Sequence, residues 1–523
     1  MTPEPSNAEI LAALGGAPAK RGRGRPKGST NKEPRRPRAA DFDARTWIAA
    51  HCSFLCDPRG NVFLGTDYKG HFQWHPILSD LSRYALVDAG LEATGAHLGA
   101  AAVEAILKHA EGAARVSGPY GSPSIRVGWD RGDILIDLGS HAFDMVRVSR
   151  SGFKIEPIGR FPFYRPLGFG ALPVPEPEGN LADARMLLNT ESEADFTLIM
   201  SWLVSSLRPG GPYVFLNLGG EQGSGKSTMA RMLRGLVDPN DTPIRTQPRE
   251  IDDVVVAAMN NHVLGFDNTA RFEEWLSNVF CVMATGGGIV SRKLYTDAAE
   301  AGFNGMRPII NSAITNVLTA PDLAQRAYMV RLRRIEEHER RPETEVWDTW
   351  RAFEPRMFGI LCDGLSSAIR RYPEVVKEGH RLPRMADAAL WSVAAERGLG
   401  IEDGSVLAAL QENQDMALAE TFENDPVAMA IHELLPKEGE RWSGTMAGLL
   451  ARLETTTPEN IRKSHAWPKT PQAMTAKLDR IKPVLRSHGL DFHKARGDVR
   501  NLVLERVRTT PEAPKAEPEG KAR

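Results

Sequence analysis

The sequence predicts a multidomain α/β protein, and three observations carry that expectation. A glycine-rich stretch, LGGEQGSGKST from Leu218 to Thr228, lies between an apolar run of strand length (YVFLNL, Tyr213–Leu218) and a segment with apolar residues at helical spacing (TMARMLRGLV). Two more strand patterns, HVLGFDN and RPIIN, follow at even intervals, with 41 residues from Lys226 to Asp267 and 44 from Asp267 to Asn311. Outside this unit the pattern changes: short alternating stretches precede it, and long helical periodicity ending in a hairpin pattern follows it.

Gly220–Ser227 fits G-x-x-x-x-G-K-[ST], a loop whose backbone N–H groups wrap a phosphate at a helix N-terminus. The ligand expected there is ATP with Mg²⁺, held by Gly220, Glu221, Gln222, Gly223, Ser224, Gly225, Lys226, Ser227 and Thr228. In this reading Gly223 and Gly225 let the backbone approach the phosphates, Lys226 pairs with the β- and γ-phosphates, and the Ser227 hydroxyl ligates the metal. Such a loop needs a second strand with a carboxylate for the metal's water shell, and His262–Phe266 with Asp267 at its end supplies one. Asn311, ending RPIIN, is placed beside these strand ends, where an amide can sense the γ-phosphate. Arg326, just before the strand pattern AYMVRL, is a candidate arginine finger that enters a neighbouring subunit's site in a ring.

The remaining chain divides by composition. Residues 1–43 form a basic tail: Lys20 to Arg38 contains nine Lys/Arg and one Glu, although the whole chain has a formal net charge of -1. Within residues 20–32 the core Arg23-Gly24-Arg25-Pro26, followed by Lys27, resembles an AT-hook, a short extended segment whose arginines enter a narrow minor groove. Residues 44–175 read as an α+β domain, with a helical LGAAAVEAILKHAEGAARV followed by strands in SIRVGWD, DILIDLG and MVRVSRSGFKI. PVPEPEGN reads as a linker into residues 176–340, the nucleotide core with its preceding helices. Residues 341–440 are helical, 441–508 read as helices (WSGTMAGLLARL, TPQAMTAKLDRIKPVLRSHG) plus a basic hairpin, and 509–523 are a Pro- and Glu-rich tail. Asp133 and Asp137 read as solvated strand ends rather than catalytic carboxylates, and His51, Cys52 and Cys56 lack a second ligand pair for zinc. Four cysteines point to the reducing cytoplasm, and no apolar run reaches membrane-spanning length.

The order GEQGSGKST, VLGFDN, ATGGGIVSRKLYTD, RPIINSAI, DLAQRAYMVRL resembles the superfamily 3 helicase branch of AAA+ ATPases. More narrowly it is similar to the poxvirus-type primase-helicases and their relatives in phages and integrated elements. The resemblance is specific over about residues 210–335. It implies a P-loop AAA+ core of the superfamily 3 type, a homo-hexameric ring translocating on DNA, and a hairpin whose basic tip, matched here by Arg292 and Lys293, meets single-stranded DNA in the channel. The terminal helices and hairpin imply a winged-helix-like domain that contacts duplex through Lys477 and Arg480 on a helix and Arg496 at the wing.

One position departs from that pattern. Most hydrolysing members carry Glu after the metal-site Asp, and this chain has Asn268, an amide that orients water without accepting its proton. Glu221, Glu273 and Glu274 are the alternative bases. Two functions therefore stand: an ATP- and Mg²⁺-dependent DNA helicase or translocase for replication of a phage or mobile element, and a non-unwinding, ATP-switched DNA-binding or loading protein. A small-molecule P-loop kinase is disfavoured by the basic tail and Arg326.

Overall fold

The computed structural model describes residues 42–269, 272–292, 300–313, 318, 320–464, 466–494 and 501–507. The segment read as an AT-hook therefore lies outside the described residues, as do Lys293 and Arg496.

A small N-terminal unit comes first: α1 (Ala44–His51), β1 (Cys52–Cys56), β2 (Val62–Tyr68), β3 (His71–Pro76), α2 (Asp80–Thr94) and α3 (Ala100–Ser117). Its strands form an antiparallel sheet in the order β1-β2-β3. Cys52, Phe54 and Cys56 alternate inward onto Val103, Leu107, Ala110 and Ala114 of α3. Both cysteines are core residues, and burial pushes the Cys52 thiol up to about 12.

A second antiparallel sheet, β4 (Val127–Asp130), β5 (Asp133–Asp137), β6 (Asp144–Ser149) and β7 (Gly152–Pro157), is ordered β4-β5-β6-β7. Packing groups the chain differently from the sequence divisions here. Val127, Ile134, Ile136, Val146 and Val148 share the main core with residues 172–410 rather than with the first sheet. Asp137 is not a solvated strand end: it is buried and doubly bonded by Arg165 (2.6 and 2.8 Å), which ties the sheet to the segment after β7, while Asp133 lies 3.3 Å from Arg147 of β6. Within the largely exposed PVPEPEGN, Glu176 N–H donates to the Pro355 carbonyl at 3.0 Å. A Cβ at Gly359 would overlap the Glu176 carbonyl oxygen, so that crossing requires glycine.

The central layer follows α4 (Leu181–Leu187) and α5 (Glu193–Ser206), and comprises β8 (Phe215–Gly219), α6 (Lys226–Gly235), α7 (Ile251–Asn260), β9 (Leu264–Thr269), α8 (Glu274–Thr285), the hairpin β10 (Gly288–Arg292) and β11 (Glu300–Asn304), β12 (Ile309–Ala313), α9 (Pro321–Ala324) and β13 (Ala327–Arg331). Four strands make a parallel sheet ordered β13-β8-β12-β9. Apolar residues on both faces explain the continuous hydrophobic runs. Leu216, Leu218, Ile310 and Val330 face α5 and α6, while Phe215, Phe266, Ile309 and Met329 face α7 and α8.

Helices α10 (Glu343–Val375), α11 (Ala386–Leu399) and α12 (Ser405–Asn424) pack onto α5 and complete the same core. After α13 (Pro426–Leu434) comes a terminal unit of β14 (Arg441–Thr445), α14 (Met446–Thr456), α15 (Glu459–Arg462), α16 (Pro471–Ser487), β15 (Leu490–Lys494) and β16 (Asn501–Arg506), with an antiparallel sheet ordered β14-β16-β15. The segment WSGTMAGLLARL is strand before it is helix: Thr445 ends β14 and caps α14, accepting from Gly448 N–H at 3.1 Å.

Buried charge joins the second sheet to the central one. Arg126 and Asp238 are enclosed and 3.2 Å apart, and Asp238 also accepts the N–H groups of His262 (2.8 Å) and Val263 (3.0 Å). Burial pushes the Asp238 carboxyl up, but Arg126 and Arg234 more than reverse this and leave it below the ordinary carboxylate range. His262 and His75 are depressed to about 4 by burial. Their folded values lie below the ordinary 6.5, so the unfolded chain takes up protons first on acidification. Their contribution is complete above pH 6.5 and is lost as pH falls toward 4. Thermal melts are accordingly expected to drop between pH 6.5 and 4.5, with a shallower drop in His262→Asn; a flat profile would contradict neutral, buried imidazoles.

Candidate functional site

The glycine-rich loop leaves β8 at the carboxyl edge of the parallel sheet, between strands that continue to opposite sides, which is where open α/β sheets form ligand crevices. Gly220, Gly223 and Gly225 have φ of 148°, 87° and 79°, values that glycine adopts without Cβ strain. Gly225 is the N-cap of α6, so the first N–H groups of that helix open onto the loop. A cleft of about 420 Å³ results, lined by Gln222, Gly223, Gly225, Lys226, Ser227, Thr228, Asp267, Asn268, Ser312 and Ala313.

Lys226 folds back onto its own loop, donating to the carbonyls of Gly220 (2.8 Å) and Glu221 (2.7 Å). Burial lowers its ammonium pKa and the nearby Asp267 carboxylate opposes the shift. Ser227 Oγ donates to Asp267 Oδ1 at 3.0 Å. The same oxygen accepts from Asn268 N–H at 2.8 Å and from the Ser312 hydroxyl, leaving Oδ2 without a protein donor among the described residues. A hydroxyl and a carboxylate meeting beside this cleft are the hard oxygen donors Mg²⁺ takes, and Mg²⁺ completes its shell with waters and phosphate oxygens.

A bulge delivers Asp267 to that position. Asn311 pairs with Phe266 and Ala313 with Thr269, so β9 carries one residue more than β12 across this interval. Asn268 absorbs it at φ 53°, a left-handed conformation that asparagine tolerates better than most residues.

Several sequence expectations change. Asn311 is wholly buried on the other face of β12, where it donates to Asn217 Oδ1 (2.7 Å) and accepts from Thr269 Oγ1 (3.0 Å). The polar side chain from β12 that lines the cleft is Ser312. Arg326 is 12% exposed within the single chain and donates to the Asp322 carbonyl at 2.7 Å and toward Cys281 Sγ at 3.8 Å. Glu221 pairs with Arg334 at 3.4 Å, and Glu273 accepts from Trp275 Nε1 at 2.9 Å. Asp267 is therefore the one carboxylate lining the cleft among the described residues.

The expected DNA-contacting residues also sort by environment. Arg292 ends β10, which pairs antiparallel with β11. Lys477 is 22% exposed and forms an ion pair with Asp425, the residue that caps α13, so its ammonium is committed inside the fold. Arg480 lines a cavity of about 230 Å³ between α16 and α12, together with Arg326 and Arg384. The helical phase that buries Met474, Leu478 and Ile481 turns Lys477 inward, which its sequence neighbours do not reveal.

Residues the sequence reading missed surround the loop from behind. Asn189 Nδ2 donates to the carbonyls of Ser224 (3.1 Å) and Arg333 (2.6 Å), joining the loop to the chain that leaves β13. Arg231 of α6 reaches Glu343 at the start of α10 at 3.0 Å. An arginine-rich run, RLRRIEEHERR, was the available signal.

Sheet, loop and flanking helices define a class: a multidomain α/β protein with a glycine-rich cleft at the carboxyl edge of a parallel sheet. Residues 182–412 match the family model of the actinomycete integrative conjugative element replication protein, and residues 427–517 match the model of that family's RepA C-terminal domain. The chain belongs to this family of mobile-element replication proteins. No curated protein matches it. Among solved structures it is similar to an A-form apo structure of the NrS-1 C-terminal region, with 11% identity, a TM-score of 0.37, and coverage of 89% of this chain and 98% of that one. A second apo structure of the same region gives 10% identity and a TM-score of 0.36 over the same shares. No helix among the described residues is long and apolar enough to cross a membrane.

Proposed function

We propose that this replication protein is an ATP- and Mg²⁺-dependent DNA helicase or translocase, with a P-loop AAA+ core of the superfamily 3 type. One observation carries the reading: Ser227 and Asp267 meet at 3.0 Å beneath a loop that also presents Lys226. Mg²⁺ held there with ATP would neutralise phosphate charge. Lys226 would exchange two loop carbonyls for phosphate oxygens, while the α6 N-terminus and loop N–H groups orient the chain of phosphates. Asn268 and Ser312 would orient water without taking its proton.

In this reading a homo-hexameric ring grips single-stranded DNA through the β10–β11 hairpin, where Arg292 and Lys293 supply phosphate contacts. Arg23, Arg25 and Lys27 would hold duplex as an AT-hook. The terminal unit, read as a winged helix, would present the β15–β16 hairpin, whose tip includes Arg496.

The cleft's single carboxylate favours a second reading, an ATP-switched DNA-binding or loading protein with little turnover. Steady-state ATP hydrolysis with and without single-stranded DNA separates the two. DNA-stimulated turnover is the expected result. Mg²⁺-dependent ATP binding without turnover would replace the motor by the switch, and absence of ATP binding would sink both.

A further inference from the structure

The chain that leaves β13 returns across the glycine-rich loop as a built strap. Asn189 anchors its start through the Arg333 carbonyl at 2.6 Å. Glu336 and Glu339 form a reciprocal capping box around the short helical turn Glu337–Glu339, and Arg333 Nη1 holds Glu339 at 2.9 Å. The Arg231–Glu343 pair fixes its far end to α6. The strap lies close to the loop: a Cβ built on Gly225 would stand 3.4 Å from Ile335 Cδ1, and one built on Gly223 would stand 3.6 Å from Arg340 Nη2.

Its four arginines differ in commitment. Arg333 is paired with Glu339, Arg334 with Glu221 at 3.4 Å, and Arg341 lies 3.8 Å from Glu345. Arg340 is exposed and has no acidic partner among the described residues. An unpaired guanidinium held against the phosphate loop by a preorganised turn is an anion-binding group awaiting its anion. Arg326, the arginine first expected to serve the phosphates, is enclosed elsewhere.

Resting on the nucleotide reading above, we propose that Arg340 acts in cis, donating to the terminal phosphate of bound ATP. The strap thereby distinguishes triphosphate from diphosphate within one chain. Gly223 lines the cleft and also faces the Arg340 guanidinium, so the group stands beside the same loop residue that borders the cleft.

The test uses the full chain with Mg²⁺ and titrates a nonhydrolysable ATP analogue and ADP by calorimetry into wild type, Arg340→Ala, Arg340→Lys and Lys226→Ala. Arg340→Ala is expected to weaken the triphosphate roughly 10- to 100-fold, as loss of a charge-assisted hydrogen bond implies, and to leave ADP within about twofold. Arg340→Lys should recover part of the triphosphate affinity, and Lys226→Ala should lose both ligands. Unchanged triphosphate affinity in Arg340→Ala, or equal loss of both nucleotides, overturns the assignment. If wild type binds neither, the nucleotide reading itself fails, and the wild-type titration alone shows it. Superimposable thermal melts of wild type and Arg340→Ala establish that the change acts at the ligand and not on folding.

Discussion

Lys226→Ala is expected to lower ATP turnover by roughly 10²–10³-fold, the scale on which removal of one preorganised electrostatic group acts in enzymes. The argument is geometric. Lys226 is tethered to the carbonyls of Gly220 and Glu221, so its ammonium already sits within the loop's arc, and Asp267 is close enough to oppose its burial-induced loss of basicity. Asp267→Asn should fall by a similar factor, but for a different reason: it keeps the hydrogen bond from Ser227 and loses the charge that would draw the proposed metal. Raising Mg²⁺ should partly restore Asp267→Asn and leave Lys226→Ala unchanged. Equal rescue of both would show that the two side chains do not divide the work in this way.

The second large effect concerns folding. Arg126→Ala removes a guanidinium that bonds Asp238 and the carbonyls of Asp137 (2.9 Å) and Gly170 (2.7 Å), and that lies 3.5 Å from the Phe169 ring centre. It leaves Asp238 buried beside one fewer cation. Breaking such a pair from one side costs about 3–5 kcal/mol, because the remaining charge has lost its compensation. Arg351→Ala is the control: its pair with Asp348 is exposed, and such pairs are worth about 0–1 kcal/mol. Thermal melts should show a drop of many degrees for Arg126→Ala and almost none for Arg351→Ala. Similar melts would mean that the second sheet does not depend on this junction.

The loop, the strand before it, the helix after it and Asp267 are legible in the sequence because each rests on local pattern: glycines at fixed spacing, an apolar run, a polar residue closing a strand. Asn311 is misread by a single step. Side chains alternate across a strand, and the neighbour Ser312, not Asn311, is on the side of α6 and Asp267. The bulge at Asn268 that sets this phase is invisible to a count of apolar residues. The surroundings of Lys477 and Arg326 are hidden for another reason. Their charges suggest exposed contacts, but Lys477 is claimed by Asp425 of another element, a placement only the tertiary structure supplies, while Arg326 turns back onto Asp322 four residues earlier. The division of residues 44–175 likewise depends on which core each strand joins, since both sheets share the same alternating pattern. Arg340 is legible only as one arginine among several, because its role depends on a return of the chain over residues more than a hundred positions earlier.

Helix α12 is tied to the edge of the parallel sheet at two points, by Asn413 donating to the Met329 carbonyl at 2.8 Å and by Glu420 pairing with Arg331. Its other side meets α16 of the terminal unit. Twenty residues of helix are a rod about 30 Å long. Strand β13 runs directly into the strap, so the same strand that feels the loop is bolted to the rod. Loop, β13, α12 and the terminal unit thus form one unbroken run of covalent and packed contacts.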